Sequence, residues 1–417
     1  MENPKAFSEP ADKFREDRQL ADIVKTTHSH LRKMIQSIEV EGSIDNDNLV
    51  SRREIEDNIW ADHADSMLSV KVQSSASPIC SADTQSYSQA MKTLANKHWT
   101  ASADKNIETS NSSRILWLKR HIDMYFKSDR SRFIRRLERR LHCEKLQASN
   151  SCGELFSDGE NTQEPGPLQI LDVGSCYNPL AHEYEKQDVY VTAIDLCPTA
   201  DSVLKCDFVR VPIIPNQKSR YVLSEHNKDG YRTVSSFSET CFDVVIFCLF
   251  LEYLPSPRLR SNACQKAKQL LKTNGLLLIV TPDSSRNHAK NEKQMKSWRL
   301  ALAKMGLLRI YIEKLRHLRC MGYVKIDKSK YEKVCEQEIA NVTRKLLKEE
   351  PLEKTLHYAN PENVEIDTDL LFIPQDRTTQ QLLENERKSG VLAEPSHVIN
   401  HTVSSLEKDI LRDFSGW

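Results

Sequence analysis

A chain of 417 residues is longer than one typical domain of about 100 to 200 residues, so we expect one well-packed domain plus substantial additional chain. Lys and Arg together number 59, as do Asp and Glu, which excludes a general nucleic-acid affinity driven by net positive charge and makes any basic site a local one. The longest unbroken apolar run, residues 244–251, is far shorter than the ~20 residues of a membrane helix, and the first thirty residues lack an apolar signal segment. These features favour a protein that neither spans a membrane nor is secreted.

The cysteines indicate a reducing compartment. Eleven are present, an odd number, and none forms a C-x-x-C pair. This pattern is unlike a disulfide framework or a zinc ribbon, so we expect no metal site and a cytosolic or nuclear location.

Residues 1–146 are predicted to form an N-terminal helical domain with loose loops. Over residues 13–41, apolar side chains recur at steps of three, four and seven, and Gly42 follows as a stop. Residues 42–88 are rich in Ser, Asp and Asn and are predicted to hold short helices joined by loops, after which helical spacing resumes near Tyr87.

Residues 114–146 form a locally basic stretch. They hold eleven Lys or Arg against four Asp or Glu, arranged around an apolar stripe. The pattern predicts an amphipathic helix whose cations either bind phosphates or form an ordinary solvated face. Residues 147–167 are polar, with Gly and Pro late in the run, and are predicted to be a linker.

From Leu168 onward the apolar runs become short and mostly unalternating, with helix-length segments between them, as is typical of a parallel sheet covered on both faces. The predicted strands are residues 168–173, 189–194, 242–249, 276–280, 307–312 and 321–326. Helices are predicted over residues 258–271, closed by Asn274 and Gly275, and over residues 292–305, closed by Gly306. The predicted fold class is therefore α/β, with the sheet domain at residues 168–328.

The remainder of the chain is predicted to be less ordered. Residues 329–350 have the spacing of one extra helix. Residues 351–417 are polar without a sustained period, so we expect a largely disordered tail, with a short helix possible near residues 404–414.

The first two predicted strands end in residues that suit a nucleoside ligand. Gly174 lets a ligand approach backbone atoms, and Asp195, twenty-one residues later, is placed to accept the hydroxyls of an adenosine ribose. Cys176 and Asn178 replace the small residues of a diphosphate loop, which favours a ligand with adenosine but no phosphate, such as S-adenosylmethionine. Gly174 alone could be a plain strand-ending turn and Asp195 alone a solvent-facing carboxylate, but their joint spacing favours a site.

A second candidate pair follows a third extended stretch. Asp207 could accept the exocyclic amine of adenine, with Phe208 packed beside the base. Asp207 could equally cap a helix, and the sequence does not decide between these roles.

Several strings in this region resemble the SAMTOR family of S-adenosylmethionine sensors upstream of mTOR complex 1, whose fungal relatives are base methyltransferases of large-subunit ribosomal RNA. The matching strings are residues 171–179, 205–208, 242–257, 274–284 and 295–298, with fainter matches at 90–99 and 114–117. The resemblance implies a class I, Rossmann-like methyltransferase fold preceded by a helical domain, with S-adenosylmethionine between them. It also implies ligand contacts at Gly174, Asp195, Asp207 and Phe208. Two weaker transfers are Cys248, where the family has a serine, and Arg114, whose guanidinium would meet the ligand's carboxylate.

The resemblance leaves two functions open. As a sensor, the protein would inhibit mTOR complex 1 signalling through the GATOR and KICSTOR complexes when the ligand is scarce, in the cytoplasm and at the lysosome through its partners. As a methyltransferase on an adenine of ribosomal RNA, it would be nuclear or nucleolar, with the basic helix binding phosphates. Enzymes acting on exocyclic base nitrogens commonly carry Asn or Asp, two prolines and an aromatic residue after the fourth strand. Residues 247–253 lack this cluster, and Glu252 and Tyr253 there are expected to be plain surface groups, so no catalytic residue is assigned.

Overall fold

The structure is a computed structural model that describes residues 9–41, 48–69, 82–94, 110–128, 166–185, 187–224, 232–283, 288–315, 318–326, 332–347, 368–373 and 376. The predicted linker therefore falls almost wholly outside the described residues, as do residues 129–146 of the basic stretch and the helix suggested near residues 404–414. No helix among the described residues is long and apolar enough to cross a membrane.

A seven-stranded sheet forms the centre of the molecule, as the sequence predicts. Its strands are β1 Leu168–Val173, β2 Val189–Asp195, β3 Val203–Lys205, β7 Phe242–Cys248, β8 Leu271–Pro282, β9 Leu307–Leu315 and β10 Leu318–Lys325. They follow the order β3-β2-β1-β7-β8-β10-β9 and are parallel except for β10. The chain reverses its direction of winding between β1 and β7, and ligands of such sheets bind at this point, beyond the carboxyl ends of the strands.

Two details of the sheet differ from the sequence analysis. Strand β10 runs antiparallel to both neighbours because only two residues separate it from β9, too few for the crossover that a parallel pair needs. A small second sheet, which the sequence analysis did not predict, has the order β4-β6-β5. Its strands are β4 Ile213–Ile214, β5 Tyr221–Leu223 and β6 Val234–Ser238.

Asn274 and Gly275 do not close a helix, so that prediction was wrong. The preceding helix ends at Leu270 and the chain enters β8 directly at Leu271. Asn274 has φ 63°, and the register between β7 and β8 shifts at this point, so the pair forms an irregularity within the strand. Asn274 and Gly275, which are residues typical of turns, therefore form a β-bulge within β8. Gly306, with φ 84°, does close its helix as predicted.

Helices cover both faces of the sheet. Their bounds are α4 Ser110–Asp123, α5 Pro179–His182, α6 Pro257–Leu270, α7 His288–Lys304 and α8 Glu332–Leu347. One face of the sheet packs against α6 and α7, and the other against α4 and the short α5, with separate apolar clusters on each side. A π-helical turn, Met124–Ser128, follows α4, so the predicted basic helix is confirmed only over its first part. The covered sheet confirms the α/β fold class.

Three further helices lie at the N-terminal side: α1 Glu9–Glu41, α2 Asn48–Ser69 and α3 Ala82–Thr93. The predicted helix over residues 13–41 is confirmed within α1. The expectation of short helices between residues 42 and 88 was wrong, because residues 48–69 form one continuous helix of 22 residues. Its apolar residues have little periodicity because Trp60 and Ala64 pack into the sheet's core while Met67 packs against α1 and α3.

Part of the polar tail is ordered. Residues 368–371 form a 3-10 helix, and the apolar side chains of Leu370, Leu371 and Ile373 are buried in the core beside α6 and α7. This ordered segment was not predicted, since four apolar residues in a polar context, residues 370–373, are too few to show a period.

Candidate ligand-binding site

The turn after β1 has an unusual backbone. Gly174 has φ 74°, and both Cys176 and Asn178 adopt φ 59°, a left-handed conformation that L residues other than glycine enter at a cost. A third such residue, Leu249 with φ 57°, follows the neighbouring strand β7. Cys176 and Asn178, whose side chains argue against a diphosphate-binding loop, therefore still adopt the backbone conformation that is typical of glycine. Strained backbone conformations of this kind cluster at the functional sites of proteins.

Asp195 ties this turn to the end of β2. Its Oδ2 accepts a hydrogen bond from the backbone N–H of Cys176 at 2.9 Å, and its Oδ1 accepts one from Cys197 at 2.7 Å. Burial raises the pKa of the carboxyl, and the two backbone donors oppose that shift. Each oxygen has a lone pair to spare, so the carboxylate can still accept hydroxyl donors of a ligand.

Arg114 approaches the same edge from the N-terminal half of α4, whose first residue is Ser110. Its side chain is buried, so it is not one more member of a solvated basic face. Burial raises the pKa of the Cys248 thiol to about 12 and that of the Asp172 carboxyl to about 6, and the charge of Arg114 opposes both shifts. Asp172 also accepts a hydrogen bond from the Ser175 hydroxyl at 2.7 Å. The structure thus brings Arg114 and Cys248 to the end of β1, where they meet an acid that the sequence analysis missed.

Asp207 is fully engaged within the chain. Its carboxylate accepts hydrogen bonds from Trp60 Nε1 at 3.2 Å, from Arg210 Nε at 2.6 Å and from the backbone N–H of Val209 at 3.0 Å. Residues 208–210 form a turn and not a helix, so Asp207 caps no helix. Its contacts order this turn and fix α2 against it. An adenine contact for Asp207 stays a prediction.

Phe208 links this turn to Gly174 through a group of aromatic rings. Its ring lies edge-on to Phe247 at 5.7 Å and to Phe250 at 6.0 Å between centroids. Phe250 in turn packs beside Gly174. A Cβ atom built on Gly174 would lie 3.0 Å from Cδ2 of Phe250, its nearest neighbour. Gly174 and Phe208 are therefore two ends of one packed apolar surface.

The helices α1, α2 and α3 cover the carboxyl edge of the sheet. An apolar cluster joins Val24, Met67, Tyr87 and Met91 from these helices to Cys176 and Cys197 of the two loops. The His28 ring packs edge-on against Tyr253 at 4.7 Å and hydrogen-bonds the Tyr87 hydroxyl at 3.0 Å. Each of the loops after β1, β2 and β7 thus contacts these helices, through Cys176, Cys197 and Tyr253.

Glu252 and Tyr253 are not plain surface groups, which corrects the sequence analysis. Glu252 is only 3% exposed and Tyr253 is half-buried. Burial raises the pKa of the Glu252 carboxyl to about 7, opposed by the charges of Arg260 and Arg32. Helix α1 covers this position through Arg32. The sequence around Glu252 could not predict this contact, because Arg32 lies more than two hundred residues earlier in the chain.

Docking of α2 is expected to weaken in acid because of His63. Burial lowers its pKa from 6.5 to about 4, with the Asp207 charge opposing. Because burial lowers this pKa, His63 leaves the packed state unaffected above pH 6.5 and destabilises it increasingly as the pH drops toward 4. At pH 5 the loss is about 2 kcal/mol. Amide exchange in α2, corrected for the intrinsic pH effect, should therefore accelerate between pH 7 and pH 5.

The His63→Gln variant tests this contribution against the background of other groups. Asp172 and Glu252 titrate in the same range with the opposite sign, and burial also lowers the pKa of the neighbouring His28. In that variant we expect amide exchange in α2 to depend less on pH than in the parent. His182→Gln, whose ring is exposed and pairs with Glu185, should have the same pH profile as the parent. Identical profiles in the parent and His63→Gln would show that His63 does not control docking.

Comparisons with known proteins show which family the chain belongs to. A family model described as a methyltransferase domain matches residues 127–318. A Xenopus tropicalis protein named S-adenosylmethionine sensor upstream of mTORC1 is 30% identical over 329 residues, covering 76% of this chain and 72% of the relative. The chain belongs to this sensor family. The family's Danio rerio member is 30% identical over 75% of this chain and 71% of its own length, and the Xenopus laevis member is 34% identical over 57% and 60%.

One solved structure to which the chain is similar is a Burkholderia thailandensis 1,6-didemethyltoxoflavin-N1-methyltransferase with bound S-adenosylhomocysteine. It is 14% identical and covers 62% of this chain and 95% of its own, with a TM-score of 0.27. In the described part of the chain, no group of three or more His, Cys, Asp or Glu residues could hold a metal ion.

Proposed function

We propose that the protein binds S-adenosylmethionine between its N-terminal helices and its sheet, and that this binding regulates mTOR complex 1 signalling. The observation that carries the proposal is the convergence of Gly174, Asp195 and Arg114 at one edge of the sheet, beneath α1–α3. Asp195 would accept the ribose hydroxyls and Arg114 would hold the ligand's carboxylate. The relatives' name supports the choice of this ligand.

The ligand fits the chemistry of these residues. The Asp195 carboxylate already lies beside the turn that must approach the ligand, and the buried guanidinium of Arg114 suits a buried carboxylate partner. S-adenosylmethionine supplies an electrophilic methyl group when bound. Protein side chains at this edge would bind and orient the ligand, and we assign none of them to the transfer of that group.

Regulation would follow from differential binding. A ligand shifts an equilibrium only if it binds one state better than the other, and a ligand that touches both the sheet edge and the helices above it favours the closed state. We propose that the closed state binds GATOR and KICSTOR components less well, so that the protein inhibits mTOR complex 1 when the ligand is scarce. It would act in the cytoplasm and reach the lysosome through these partners.

A methyltransferase acting on ribosomal RNA is the alternative function. Within the described part of the basic stretch, Lys119 and Lys127 pair with Asp123, Arg120 pairs with Glu313, and Arg114 is buried. These contacts leave little cationic surface for phosphates there and favour the sensor. RNA binding with a steep dependence on salt concentration would support the enzyme instead.

Calorimetric titration with S-adenosylmethionine and S-adenosylhomocysteine tests the proposed ligand directly. We expect saturable binding of S-adenosylmethionine with one site per chain. Partner capture should then fall over the same range of ligand concentration. Absence of binding by the folded protein would refute the proposal, and binding without any change in partner capture would refute its regulatory part.

Arg114→Ala is expected to weaken binding by about 10-fold or more, because it leaves the ligand carboxylate without its charged partner. Ligand-induced protection of α1–α3 against amide exchange should fall in parallel. Arg120→Ala, on the same helix but exposed and paired with Glu313, should change neither quantity. If both variants bind like the parent, Arg114 does not contact the ligand.

A further inference from the structure

Four charged side chains from distant parts of the chain meet beside the candidate site. They are Arg32 on α1, Glu252 after β7, Arg260 on α6 and Asp376 near the C-terminal segment. Arg260 is fully buried, and Arg32 and Glu252 are 8% and 3% exposed. Two cations therefore share two acids in a site with little water, where any unpaired charge is costly.

Asp376 joins three parts of this cluster. Its carboxylate forms an ion pair with Arg260 and accepts a hydrogen bond from the backbone N–H of Ile373 at 2.8 Å. Its backbone carbonyl accepts a hydrogen bond from Gln36 Nε2 of α1 at 3.0 Å. One residue thus connects the C-terminal segment both to α6 and to α1.

Residues 368–373 with Asp376, here named the strap, are anchored to the sheet domain along their length. Carbonyls of the strap accept hydrogen bonds from Ser297 at 2.6 Å, Trp298 at 2.8 Å and Arg260 at 2.7 Å. Its buried apolar side chains pack into the core next to α6 and α7. The sheet domain therefore fixes the strap without help from α1.

Helix α1 depends on this arrangement. Arg32 donates a hydrogen bond to the backbone carbonyl of Glu252, and its charge lies near that of Arg260, which together with burial lowers the pKa of Arg32 to about 10. Without the Asp376 carboxylate, two buried guanidinium groups would face one carboxyl group. Release of Arg32 together with α1 would relieve that repulsion.

We infer that the strap is an intramolecular clasp that holds α1 over the candidate ligand site through Asp376. This role of the strap is separate from the function proposed above. The strap would hold α1 in place without ligand, whichever ligand binds beneath α1. Loss of the clasp would open the same edge of the sheet that the ligand is proposed to close.

Amide exchange of full-length Asp376→Asn without ligand tests the clasp. We expect exchange in residues 19–37 of α1 to accelerate about 10-fold or more, while β1 and β7 keep their protection. Asp243→Asn is the matched control: Asp243 is also a partly buried acid, paired with Lys272 and the backbone N–H of Gln169, but it lies at the opposite edge of the sheet. That control should leave α1 unchanged.

Gln36→Ala covers the case in which Asp376→Asn destabilises the whole domain. It removes the hydrogen bond from α1 to the strap while keeping all four charges, and we expect amide exchange in α1 to accelerate about 3- to 10-fold. Faster exchange confined to α1 supports the clasp. Unchanged exchange of α1 in Gln36→Ala together with unchanged or merely global exchange in Asp376→Asn would overturn it.

Discussion

Asp195→Ala is expected to abolish most of the affinity for S-adenosylmethionine. The carboxylate would form charged hydrogen bonds to the ribose, whose loss costs about 1.5 to 3 kcal/mol, or roughly 10- to 150-fold in affinity. The side chain also holds the Cys176 and Cys197 backbone N–H groups at 2.9 and 2.7 Å, so its removal loosens the turn that approaches the ligand. We therefore expect a result near the upper end of this range.

Titration calorimetry of the variant and circular dichroism together check this prediction. Asp201→Ala removes an exposed carboxylate from the same loop and should bind the ligand like the parent. A folded Asp195→Ala variant with unchanged affinity would move the ribose contact to another residue. Loss of affinity for both S-adenosylmethionine and S-adenosylhomocysteine is the expected pattern, because the two ligands share the ribose.

The sheet and the ends of its first two strands could be predicted because their signals are local. Unalternating apolar runs such as residues 168–173 identify buried strands, and Gly174 and Asp195 follow them directly in the sequence. Burial on both faces makes such a strand mostly apolar, so its composition identifies it even though β1 also contains Gln169 and Asp172. Asp172 could have been found in the same way, as an acid in a mostly apolar strand two residues before the glycine.

The cover of the site could not be predicted, because it depends on contacts between distant segments. Trp60 and His63 lie in a stretch without clear periodicity, since α2 packs on two sides. Glu252 has the sequence context of a surface residue and is buried only because α1 lies over it. Asp376 follows a short apolar group in a polar tail. Each residue gains its role from a partner more than one hundred positions away, which a single sequence does not reveal.

Gly174→Ala is expected to weaken ligand binding strongly while the sheet stays folded. The φ of 74° at this position costs an L residue about 1 to 2 kcal/mol, and the new Cβ would lie 3.0 Å from Cδ2 of Phe250. Phe250 can give way only by moving against Phe247 and Phe208, whose ring centroids are 5.1 and 6.0 Å away. The substitution therefore disturbs both the backbone turn and the aromatic surface at which the base is proposed to lie.

Two measurements separate these effects. Thermal unfolding should report a modest destabilisation, and calorimetry should report an affinity loss of about 10-fold or more, since strain at the turn adds to displacement of Phe208. Gly166→Ala is the matched control, because its Cβ would meet nothing within 4 Å, and it should change neither quantity. Parental affinity in a destabilised Gly174→Ala protein would mean that the turn after β1 is strained for reasons of folding alone, and the ligand would then have to be bound by the loops after β2 and β7.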